Sequence, residues 1–85
     1  MDTNPLSYGL NPRIKLKELG TNQLGICKVV KSRIIQKDAI KIIDIARSIK
    51  QLNPEMKVSL ICTRNICSKS LVLLSKESIT ILYEE

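Results

Sequence analysis

The sequence predicts a small α/β domain in the order β-β-α-β-α-β, a mixed sheet flanked by two helices. Three observations predict it. Residues 13–19 (RIKLKEL) alternate basic and apolar side chains, and a turn-like GTNQ leads into a second apolar run. Residues 37–52 (KDAIKIIDIARSIKQL) repeat apolar side chains at helical spacing. After Asn53-Pro54, an apolar run, a helical pattern and a last apolar run follow in turn.

Each element has a local reason. Residues 1–12 (MDTNPLSYGLNP) hold two Asn-Pro pairs and a glycine, which favour turns, so they form a tail or an irregular lead-in to a domain at 13–85. In 13–19, Ile14 and Leu16 share one face and Arg13, Lys15 and Lys17 the other, as in a half-exposed strand. GTNQ (20–23) makes a hairpin turn and LGICKVVKS supplies the second strand. In 37–52, Ala39, Ile42, Ile43, Ala46 and Ile49 form one stripe, and Ile40, Ile45 and Leu52 widen it toward a well-buried helix. Lys37 or Asp38 opens that helix, with Asp38 suited to the N-cap, and Asn53-Pro54 closes it. KVSLIC (57–62) is a strand. ICSKSLVLLSKES (66–78) is a second helix with Ser68 as cap and Leu71 and Leu74 inward. ITILY (79–83) is the last strand. Strand-helix-strand order favours parallel crossovers.

With 85 residues the chain makes one domain, and a chain of this size buries roughly 60 to 65% of its unfolded surface. Its hydrophobic fraction of 44% is supplied by aliphatic side chains, since it has no Phe or Trp and its aromatics are Tyr8 and Tyr83. Richness in Ile, Lys and Asn fits an AT-rich genome or a thermophilic, archaeal-like source. Net charge is +6. Residues 1–37 carry seven Lys/Arg against Asp2 and Glu18, net +5, while 38–85 carry seven against six, net +1. A basic half suggests an anionic partner such as nucleic acid, set against a plain lysine-rich solvated surface. Cys27, Cys62 and Cys67 form no CxxC pair and there is no His, which argues against structural zinc and against a secreted disulfide scaffold. Cys62 and Cys67 are either buried thiols or a pair of the kind found inside thermophiles. No apolar run approaches the roughly 20 residues that span a bilayer, and the first ten residues lack a signal-peptide pattern. A cytoplasmic protein without a membrane partner is expected.

Without His there is no Ser-His or Cys-His pair, and Gly9, Gly20 and Gly25 form no phosphate loop. Catalysis on a phosphodiester would therefore require carboxylates holding a metal. The stretch ICKVVKSR (26–33) raises that possibility. VVKSR, followed by KDAIKIIDIARSIKQL and SLICTRNICSKSLVLLSKESITIL, resembles the PD-(D/E)XK nuclease superfamily, nearest in look to its Mrr-type restriction endonucleases and archaeal Holliday-junction resolvases. The resemblance runs from Ile26 to the C-terminus. It implies a restriction-endonuclease-like core, with Lys31 at the place of the catalytic lysine. Val29 stands where that family has its metal-binding acid, and valine cannot hold a divalent ion. Glu18 is the candidate for the family's first acid, and Asp38 or Asp44 for a second acid moved onto the helix. The bland roles are a helix cap for Asp38 and an i±3 partner of Arg47 or Lys41 for Asp44.

Strand alternation places Val29, Lys31 and Arg33 on one side, a face suited to phosphate rather than to Mg²⁺. Arg13, Lys15, Lys17, Lys28, Lys31 and Arg33 cluster if the hairpin forms, a set able to follow a nucleic-acid backbone. No aromatic side chains interleave them, so base stacking is not expected. Three function classes follow. The first is a nuclease-like protein without catalysis or cofactor that binds DNA or RNA backbone. The second is a small assembly module that forms a homodimer through an exposed helix or edge strand. The third is a Mg²⁺-dependent endonuclease using Lys31, Glu18 and a helix acid.

Overall fold

The computed structural model describes residues 3–29 and 32–84. Its elements are β1 (Lys15–Gly20), β2 (Gln23–Lys28), α1 (Gln36–Leu52), β3 (Lys57–Cys62), α2 (Ser68–Lys76) and β4 (Thr80–Tyr83). The mixed α/β fold and the element order are those the sequence predicts. The sheet runs β1-β2-β3-β4, with β1 antiparallel to β2 and parallel pairing of β2 with β3 and of β3 with β4. The hairpin turns through Thr21 and Asn22, and Asn22 takes a left-handed φ of 56°, a conformation Asn accepts more readily than most residues.

β2 is shorter than the apolar run predicts. Its ladder with β3 ends at the pair Lys28–Cys62, and β3 itself ends at Cys62. The two chains meet again in a single parallel bridge, Ile34 with Ile66. Between these pairings lie residues 29–33 on one side and 63–65 on the other; of the expected strand face, Val29 lies outside β2 and Lys31 lies outside the described residues.

Both helices cover one face of the sheet. Leu24 and Ile26 of β2 and Val58, Leu60 and Cys62 of β3 share a core with Ala39, Ile42, Ala46 and Ile49 of α1 and Leu74 of α2. α1 begins two residues before Asp38, which corrects the N-cap expectation. Asp38 instead reaches back, and its Oδ2 accepts the Ile35 N–H at 3.1 Å, a half of a capping box that satisfies one helix-end donor. The wide apolar stripe is also corrected, since Ile40 and Leu52 are 53% and 62% exposed. α2 is capped by Cys67 rather than Ser68, with Cys67 Sγ accepting the Ser70 N–H at 3.4 Å. Ser70 is fully buried there, its Oγ 2.9 Å from Cys67 Sγ and donating to the Ile34 carbonyl at 3.4 Å. Arg47 Nε donates to Glu77 Oε1 at 2.8 Å and joins α1 to α2, so it turns to the other helix rather than to Asp44.

The lead-in is more ordered than its composition suggests. Pro5–Tyr8 forms a 3-10 turn, Gly9 ends it with φ of 69°, and Leu10 is buried in the core. The opposite face of the sheet carries no helix. Lys15, Cys27, Ile61 and Leu82 make one cross-strand row on it, and Lys17, Gly25, Ser59 and Thr80 the next. Ile61 is nevertheless only 6% exposed, because it lies over the bare backbone of Gly25 beside Leu19.

Candidate functional site

A groove opens where β1 begins, β2 ends and the first half of α1 passes over them. Asn11, Arg13, Ile14 and Lys15 line it from the β1 side. Ile26, Cys27 and Lys28 line it from β2, Val29 from just beyond that strand, and Lys41, Ile42 and Ile45 from α1. This is the carboxyl end of the parallel strands, where open α/β sheets commonly place their ligands. Local rules build it. Alternation in β1 sends Ile14 and Leu16 to the core and leaves Arg13 and Lys15 exposed. Helical spacing in α1 puts Ile42 in the core and Lys41 beside it at the surface.

The groove has two parts. Its floor is aliphatic, with Ile26 and Ile42 buried and Ile14 and Ile45 half-buried. Four cationic residues border it as a rim, Arg13, Lys15, Lys28 and Lys41, with Lys15 on the outer face of the sheet at its edge, and among the described residues none of its lining residues is acidic. Such a rim attracts polyanions and offers no carboxylate to offset them.

The structure sorts the sequence candidates. Arg13, Lys15 and Lys28 come together in the groove. Lys17 pairs with Gly25 nearer the turn and lies away from it. Arg33 is exposed, and its charge acts on Cys67 at the start of α2. Lys31 lies outside the described residues. Glu18 pairs across from Leu24, at the turn end of the hairpin. From Leu24 the chain runs four more residues to the end of β2 at Lys28, a rise of about 13 Å. Glu18 is therefore not beside the end of β2. Val29 is 52% exposed and forms part of the groove wall. Among the described residues no three of His, Cys, Asp and Glu gather in a group able to hold a metal ion.

Sequence reasoning missed Lys41, which its spacing marks only as a helix-surface residue. Its role comes from the crossing of α1 over the β1–β2 end. It also missed the Cys67–Ser70 pair. The Ser70 hydroxyl, then the Ser70 N–H, hold the Cys67 thiol below the usual range, with smaller help from Arg33. Burial instead pushes the Cys62 thiol up. All three cysteines are free. Among the described residues no helix is long and apolar enough to cross a membrane. Comparison of the chain with protein-family models, with curated proteins and with solved structures finds no match in any of the three.

Proposed function

We propose that this protein binds the sugar-phosphate backbone of nucleic acid through the groove edged by Arg13, Lys15, Lys28 and Lys41, without cleaving it. The observation that carries this reading is the four-cation rim with no acidic side chain among its described lining residues. In this reading the element order resembles a PD-(D/E)XK nuclease, and the groove holds phosphate where such an enzyme would hold a metal. Val29 in the wall and Glu18 at the far end of the hairpin support binding over hydrolysis.

Fluorescence anisotropy with labelled duplex and single-stranded DNA tests the reading. The logarithm of affinity falls with the logarithm of salt at a slope near −0.9 per phosphate neutralised on duplex, so four contacts give a slope of about −3 to −4. Lys28→Ala and Lys41→Ala each lower that slope by about 1. Absence of binding to either form at about 50 mM salt removes the reading, since that is where the electrostatic contribution is strongest. Cleavage in Mg²⁺ or Mn²⁺ that disappears in Lys31→Ala would replace it with the enzyme.

One observation favours a second reading, an assembly module. β1 protects its edge with Lys15, Lys17 and a register irregularity between Glu18 and Gly20, devices that discourage strand addition. β4, at the other edge, reads TILY, with Leu82 39% and Tyr83 44% exposed. Light scattering with and without DNA separates the two. A dimer indifferent to DNA and salt, dissociated by Leu82→Lys, supports assembly.

A further inference from the structure

The groove has more than a phosphate contact requires. Phosphates need donors and positive charge, and the rim supplies both. They gain nothing from Ile14, Ile45 and Val29, which line the groove as partly exposed aliphatic side chains over the buried Ile26 and Ile42. An aliphatic surface open to water is unfavourable unless something apolar covers it. The groove has a volume of about 870 Å³, while the Cα trace spans 29 × 23 × 22 Å. A duplex, whose bases are stacked and paired, presents only phosphates and sugars to such a hollow. An unpaired nucleotide presents a base and sugar of matching apolar character, with a phosphate on each side.

Resting on the backbone-binding reading, we propose that the groove selects single-stranded nucleic acid by seating one unpaired nucleotide. The base and sugar lie against Ile14, Ile45 and Val29, and the flanking phosphates meet Arg13 and Lys15 on one side and Lys28 and Lys41 on the other. Aromatic stacking is not needed for this. The contact is aliphatic, so it tolerates any base, and sequence preference is small. Asn11 is the one uncharged polar side chain in the lining apart from the Cys27 thiol.

The test measures anisotropy of one labelled oligonucleotide, single-stranded and then annealed to its complement, at about 50 mM salt, where phosphate attraction is strong for both. The single strand should bind about tenfold tighter, a difference of roughly 1.4 kcal/mol. Val29→Asn changes a half-exposed wall residue without altering charge. It should reduce single-strand affinity about fivefold, about 70% of that preference on the logarithmic scale, and leave duplex affinity unchanged. Ile45→Thr should act in the same direction, and its thermal melt reports whether it folds. Lys28→Ala should weaken both forms. Equal binding of the two forms, with Val29→Asn indifferent and Lys28→Ala weakening both, overturns the single-strand selection and leaves backbone binding standing. Binding of neither form overturns both. Binding to anionic phosphatidylserine vesicles that displaces bound oligonucleotide assigns the groove to a lipid and overturns the inference.

Discussion

Replacing Gly25 by alanine tests whether the outer face of the sheet is open. A Cβ placed on Gly25 lies 2.7 Å from Ile61 Cδ1 and 3.0 Å from Leu19 Cδ1, so something must move. Both atoms are the far ends of flexible side chains. Gly25 is not in the left-handed region, where Gly9 is the one glycine found, so alanine suits its backbone. Replacing a strand glycine by alanine stabilises by about 0.5–1 kcal/mol, chiefly by restricting the unfolded chain. Against this, Ile61 must turn one methyl into solvent, which costs about 0.8 kcal/mol. The two effects nearly cancel, and the expected change is within about 0.5 kcal/mol of zero, or a melting shift under about 4 °C for a domain of this size. If another layer covered this face, Ile61 would have nowhere to go, and overpacking would cost about 1–3 kcal/mol. Urea denaturation of Gly25→Ala, of Ile61→Val, which removes the clashing methyl, and of the double variant reads the coupling. A loss of about 2 kcal/mol or more in Gly25→Ala, relieved by Ile61→Val, would refute the open face.

Other outcomes follow from single contacts. Iodoacetamide labelling at stepped pH, read by peptide mass, should modify Cys67 at lower pH than an ordinary thiol and Cys62 only at higher pH. The thiolate is the reactive form, and Cys67 is shifted down while Cys62 is shifted up. Ser70→Ala removes the first cause of the Cys67 shift and should move its labelling onset upward. Its stability cost should stay near 0.5–1 kcal/mol, because the Ile34 carbonyl keeps the Cys67 N–H at 3.0 Å. Leu60→Ala, at a fully buried strand position, should lose about 2–5 kcal/mol in urea. Asp38→Ala should lower the melt by about 0.5–1 kcal/mol, since one exposed bond to the Ile35 N–H is lost.

The elements that are legible in the sequence are those set by short-range pattern. The periodicity of 37–52 and the apolar run KVSLIC locate α1 and β3 to within a residue. The unread features depend on partners far along the chain. The apolar run continues past Lys28 into Val29, yet the β2–β3 ladder ends at the pair Lys28–Cys62. Ile40 and Leu52 have core chemistry, but two helices on one face of a four-stranded sheet leave them uncovered. The hairpin register separates Glu18 from the end of β2, although their spacing in sequence looks suitable. Arg13, Lys15 and Lys28 are recognisable from alternation and charge. Lys41 is not, because the groove exists only where α1 crosses the sheet.

The spatial order of the strands is their order in the chain. No strand has to be inserted between two that have already paired. Each unit borders the one before it in the chain: the hairpin, then α1 with β3, then α2 with β4. Loop closure at each step spans one crossover, so the entropy of ordering is met in small instalments.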